Sequence, residues 1–63
     1  MRRFRIGDLV EFKSKHLELD YGELVGTYGV LLNPVADLPI WQIMWQGHIL
    51  AISEFDLRRV GSV

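Results

Sequence analysis

The chain has 63 residues, 49% hydrophobic and 24% charged, with a formal net charge of −1, two histidines and no cysteine. This excludes a disulfide framework, makes a structural zinc site improbable, and argues against a protein that coats nucleic acid by bulk charge. A single domain, 1–63, is all this length builds, and burial only narrowly outweighs chain entropy in so small a core.

Asp8 to Lys13 alternates Val10 and Phe12 with Glu11 and Lys13, the pattern of a half-buried strand. Residues 14–26 mix charges, leucines and glycines and read as a long loop. Thr27 to Asn33 is a second strand, with Tyr28, Val30 and Leu32 on one face. Asn33-Pro34 and Pro39 bound a medium loop. Pro39 to Gln46 is the clearest strand, with Trp41, Ile43 and Trp45 pointing one way. Gln46-Gly47 then makes a tight hairpin into His48 to Ile52. Ser53 caps one helical turn, and Leu57 to Val60 closes the chain as a short strand.

The order is strand, long loop, strand, loop, strand, tight turn, strand, one 3-10 turn, strand. It predicts an all-β fold, a closed SH3-like five-stranded barrel. The expected core is Val10, Phe12, Val30, Leu32, Ile43, Trp45, Leu50, Ile52, Phe55 and Leu57.

Gly7-Asp8-Leu9-Val10, Gly29-Val30, Ile43-x-Trp45-x-Gly47 and Asp56-Leu57-x-x-Val60 resemble the small SH3-like proteins of tailed phages, cyanophages among them. The layout is also similar to KOW and Tudor-like modules. Among photosynthetic accessory subunits, it is similar to the variable chain of ferredoxin–thioredoxin reductase and the small stromal barrel of photosystem I. The resemblance implies the fold and hardly any particular function, because this barrel hosts many unrelated roles. A phage-encoded accessory or host-modulating role is an expectation that rests on the surplus of apolar and aromatic surface. The chain lacks the acidic–aromatic signature of signalling SH3 domains and the lysine-rich loops of many ribosomal KOW domains.

No catalytic constellation is visible. His16 and His48 are the only imidazoles, no serine sits in a nucleophile motif, and Gly22, Gly26 and Gly29 lack a phosphate-loop ending. No enzyme, cofactor or metal site is expected. Three features point to partners instead. Arg2, Arg3 and Arg5 precede the first strand and Arg58 and Arg59 lie on the last, its neighbour in such a barrel. They make a nucleic-acid interface through phosphates, or else pair with Asp8, Glu11 and Asp56. Tyr21, Tyr28, Trp41 and Trp45 line a groove between the long loop and the sheet, and Leu19, Tyr21, Tyr28 and Trp41 are the candidate protein-contact residues. Finally, Leu17, Leu19, Leu24, Val25, Leu31, Ile40, Met44, Ile49 and Ala51 exceed what one small core holds. The long loop covers this surplus, or it forms an interface with another protein or with a second copy as a homo-oligomer.

The leading expectation is a non-catalytic protein-interaction module of the cytoplasm, with no membrane segment. A small nucleic-acid-binding barrel and a virion structural or decoration component are the alternatives.

Overall fold

The computed structural model describes residues 4–14 and 24–62. Five strands form: β1 Asp8–Phe12, β2 Tyr28–Pro34, β3 Ile40–Trp45, β4 His48–Ser53 and β5 Leu57–Ser62. A lone 3-10 turn, Glu54–Asp56, precedes β5. All pairs are antiparallel in one sheet of order β4-β3-β2-β1-β5. This is the all-β order of five strands and one 3-10 turn read from the sequence, with the long first loop between β1 and β2 described only at its ends. Closure is where the fold departs from expectation. Among the described residues β4 and β5 do not pair, so the sheet is open rather than a closed barrel. It still curls, because Ile52 of β4 and Leu57 of β5, at opposite edges, share one core cluster.

The turns follow from local chemistry. Asp8 N–H donates to the Arg5 carbonyl at 3.0 Å, and Gly7 takes a φ of 90° between them. Glycine adopts that left-handed geometry without a Cβ penalty. At the hairpin, Gln46 and Gly47 both have positive φ, 47° and 81°, the combination that matches the twist of the flanking strands. Trp45 and His48 are therefore the closing pair. Ser53 caps the 3-10 turn, its hydroxyl accepting from Phe55 N–H at 3.2 Å.

β1, β3 and β4 bury the residues that alternation selects: Val10 and Phe12, Trp41 and Ile43, and Ile52. β2 does not. Gly29 and Leu31 face inward, whereas Tyr28 is 52% exposed and Val30 and Leu32 are only half-buried. The expected face of β2 is thus reversed. Packing at Gly29 supplies the reason. A Cβ there would lie 2.5 Å from Ile43 Cγ2, 3.0 Å from the Met44 carbonyl oxygen and 3.3 Å from Phe12 Cζ. The hole left by the missing side chain is filled by its neighbours, and an inward glycine gives no hydropathy signal. Leu31, read as surplus, is core. Phe55, read as core, is 67% exposed on the 3-10 turn.

Two further residues complete the cluster. Phe4 folds back over the Arg5–Asp8 turn and is 2% exposed, and Leu24 at the end of the first loop is fully buried. Trp45 packs against the cluster while its indole N–H donates to Thr27 Oγ1 at 2.8 Å. That bond fastens the returning end of the long loop to β3.

Gly29→Ala forces Ile43, a stiff β-branched side chain, or the β3 backbone to move. We expect it to destabilise the fold by about 1–3 kcal/mol. Gly61→Ala, where nothing lies within 4 Å of the new methyl, should stay within about 0.5 kcal/mol of wild type. Urea unfolding of the two variants measures the contrast, and equal midpoints would contradict it.

Candidate functional site: a cleft, an arginine edge and an apolar outer face

Three surfaces stand out among the described residues. The first is a cleft of about 240 Å³ lined by Phe4, Asp37, Leu38, Pro39, Trp41 and Glu54. Its walls come from the β2–β3 loop and the 3-10 turn, which are tied by Glu54 N–H donating to the Pro39 carbonyl at 2.8 Å. The loop is closed on itself by Val35 N–H to Ile40 O at 2.9 Å and Leu38 N–H to Val35 O at 3.0 Å. Phe4 and Trp41 supply its aromatic lining, and Asp37 and Glu54 are the acidic residues among the six. The volume lies below the roughly 300–1,000 Å³ of small-molecule sites and matches a single side chain. An acidic, aromatic recess suits a basic side chain whose alkyl stem packs on rings.

Trp41 needs a correction as a contact residue. It is 3% exposed, so its ring belongs to the core, and it lines this cleft. Tyr28 is exposed as expected, but on the outer face of β2, away from the Trp41 side of the sheet. Leu19 and Tyr21 lie outside the described residues, as do Arg2 and Arg3. The sequence reading missed Phe4, hidden among arginines, and the loop pair Leu38-Pro39. An apolar residue immediately before a loop proline was the available signal for the second.

The second surface is the arginine edge. β1 and β5 do pair, with Glu11 opposite Arg58 and Val10 opposite Arg59. Arg58 Nε donates to Glu11 Oε1 at 2.8 Å, an exposed ion pair. Arg59 Nε donates to Asp8 Oδ2 at 3.0 Å and its Nη2 to Ser62 Oγ. Asp8 is 2% exposed and also accepts from the Arg5 backbone N–H at 2.9 Å. Burial pushes the Asp8 carboxyl up. The Arg5 N–H, the Arg59 hydrogen bond and the charges of Arg59 and Arg5 outweigh it, holding the carboxyl below the usual carboxylate value. Two of the arginines expected to hold phosphates are thus engaged by this chain's own acids.

The third surface is apolar. Leu9 pairs with Val30, Val30 with Met44, and Met44 with Ile49, so one outward row crosses four strands. Ile49 at its end is 61% exposed and Met44 38%. Leu38, 56% exposed, lines the cleft, and Phe55, next in the chain to the lining Glu54, is 67% exposed. His48 is exposed at the hairpin, its ring centroid 6.4 Å from that of Trp45. Among the described residues no three His, Cys, Asp or Glu side chains are placed to hold a metal ion, and no helix is long and apolar enough to cross a membrane.

Comparison of the chain with protein-family models, with curated proteins and with solved structures finds no match.

The lowered Asp8 pKa has a definite sign. The ionised carboxylate stabilises the fold fully above its unfolded pKa of about 4, and that contribution disappears as pH falls through the lower folded value. Asp8→Asn should therefore lose about 1–3 kcal/mol at pH 7. The gap to wild type should close below about pH 4. Chemical denaturation of both proteins across that range is the check; a gap of equal size at pH 3 and pH 7 would contradict it.

Proposed function

We propose that this chain is a non-catalytic protein-interaction domain that works in the cytoplasm, in an accessory or host-modulating role. The carrying observation is the amount of large apolar side chain left outside a filled core: Met44 and Ile49 on the sheet, Leu38 and Phe55 beside the cleft, and Tyr28. Patches of this kind on a small domain mark contact with another macromolecule. Tyrosine and phenylalanine are also among the side chains that contribute most when buried at interfaces. The cleft adds a specific element, an aromatic recess with two carboxylates that fits a lysine or arginine of a partner. The resemblance of Gly7-Asp8-Leu9-Val10 and Ile43-x-Trp45-x-Gly47 to small phage barrels supports a phage origin.

The state of the arginine edge favours a protein partner over nucleic acid. Phosphate binding rests on cations free to displace counterions. Arg58 and Arg59 instead bond Glu11 and Asp8.

A photo-crosslinking amino acid placed in turn at Tyr28, Phe55 and Arg58 tests this in cells that naturally make the protein. Protein adducts at Tyr28 or Phe55 are expected. Nucleic-acid adducts concentrated at Arg58, or no protein adduct at the two aromatic positions, would overturn the proposal.

A further inference from the structure

The two edges of the sheet are protected very differently. β5 carries Arg58 and Arg59, and its pairing with β1 is broken by a register shift between Leu9 and Val10. Charge and a bulge are two devices by which proteins keep an edge strand from recruiting another strand. β4 has neither. Its sequence, His48-Ile49-Leu50-Ala51-Ile52-Ser53, contains no Lys, Arg, Asp, Glu or Pro. Its register with β3 is unbroken from Trp45↔His48 to Ile40↔Ser53. Among the described residues nothing pairs with its other side.

The direction of its free backbone groups follows from the hairpin. Trp45 and His48 close a two-residue turn and exchange hydrogen bonds, so the alternation of an antiparallel ladder turns Leu50 and Ile52 toward β3 as well. Ile49 and Ala51 therefore aim their N–H and C=O away from the sheet. Both side chains are exposed too.

We infer that the β4 edge is a docking site for β4 of a second copy of this chain, the two strands antiparallel across a two-fold axis at Leu50. This deepens the protein-interaction reading by naming one partner. In that register Ile49 of each copy faces Ala51 of the other, and each such pair exchanges both of its backbone hydrogen bonds. Leu50 faces its own counterpart on the core side. A two-fold contact needs a self-complementary strand, and an uncharged strand meets its copy without like-charge repulsion. The net charge of −1 adds little more repulsion between copies. The outer row from Leu9 to Ile49 then continues into the partner's row, covering Ile49, the most exposed member of the row.

The size of the contact sets its strength. A standard interface takes about 800 Å² from each partner. That is nearly a fifth of the 4337 Å² surface of this chain. Edge pairing over six residues gives a contact line of only about 20 Å. The dimer is accordingly weak and concentration-dependent rather than permanent.

Light scattering after size exclusion, from about 5 to 500 μM protein, spans the range where so small an interface associates. Wild type should pass from the 7.3 kDa monomer toward twice that mass. High salt should leave this unchanged, because the contact is backbone and apolar. Ala51→Pro removes an edge-facing N–H without touching the β3 ladder, and Ile49→Lys puts a charge on the edge. Each should weaken dimerisation by at least about tenfold, with circular dichroism verifying the fold; Ile49→Lys alone carries the test if Ala51→Pro fails to fold. A wild type monomeric across the whole range would overturn the edge contact, and protein adducts other than self at Tyr28 or Phe55 would then keep the wider interaction reading alive. Folded variants that dimerise like wild type would also overturn it, placing self-association on another face.

Discussion

The absence of a side chain at Gly29 is the constraint on which the rest of this structure depends. Ile43 and Phe12 occupy the space a Cβ would need, and the Met44 carbonyl approaches from the paired strand. Because the side-chain period in a strand is two, placing residue 29 inward fixes the phase of β2 from Tyr28 to Leu31, ahead of the register shift between Leu31 and Asn33. Leu31 becomes core, while Tyr28 and Val30 are turned outward. The same glycine that lets the core close therefore builds the middle of the outer apolar row, which β1 extends with Leu9 and the hairpin extends with Met44 and Ile49. Core packing and the outer apolar row are two consequences of one small residue.

Electrostatics make the two sheet edges unequal. At the β1–β5 side, Asp8 is buried but not isolated, because it holds the Arg5 N–H and the Arg59 guanidinium together. A buried carboxylate is tolerable only with such partners. Arg58 and Glu11 form a second pair on the exposed face, of the kind that contributes little to stability but leaves charge along the edge. The β4 side carries apolar and small polar residues instead. Among the described residues, charge at one end of the sheet and its absence at the other leave one guarded edge and one unpaired, uncharged edge.

Much of the fold was legible in the sequence. Alternation in Val10–Phe12 and Trp41–Ile43–Trp45, the Gln46-Gly47 turn and the Ser53 cap each rest on local rules, and local rules placed them correctly. What failed depended on tertiary context. The β2 face was misread because Gly29 contributes no hydropathy and so hides an inward position. Phe55 was assigned to the core on hydrophobicity alone, although a lone 3-10 turn left it outside. Trp41 appeared available because it borders a loop, but a strand start beside Phe4 is well covered. Phe4 itself, surrounded by Arg3 and Arg5, carries no periodic signal; only the turn at Gly7-Asp8 brings it over the core. The pairing of Arg58 with Glu11 and Arg59 with Asp8 was visible as one of the sequence alternatives, and only the register between β1 and β5 shows which acid each arginine meets.

Residue-resolved amide hydrogen exchange at low and high protein concentration tests the unequal-edge arrangement most directly. Leu50 and Ile52, bonded to β3, should be protected at both concentrations. Ile49 and Ala51 should exchange rapidly in dilute solution and slow markedly as the protein is concentrated. Protection of Ile49 and Ala51 that is already high when dilute would mean that the β4 edge is covered within one chain. Fast exchange at both concentrations would mean that no second copy docks there.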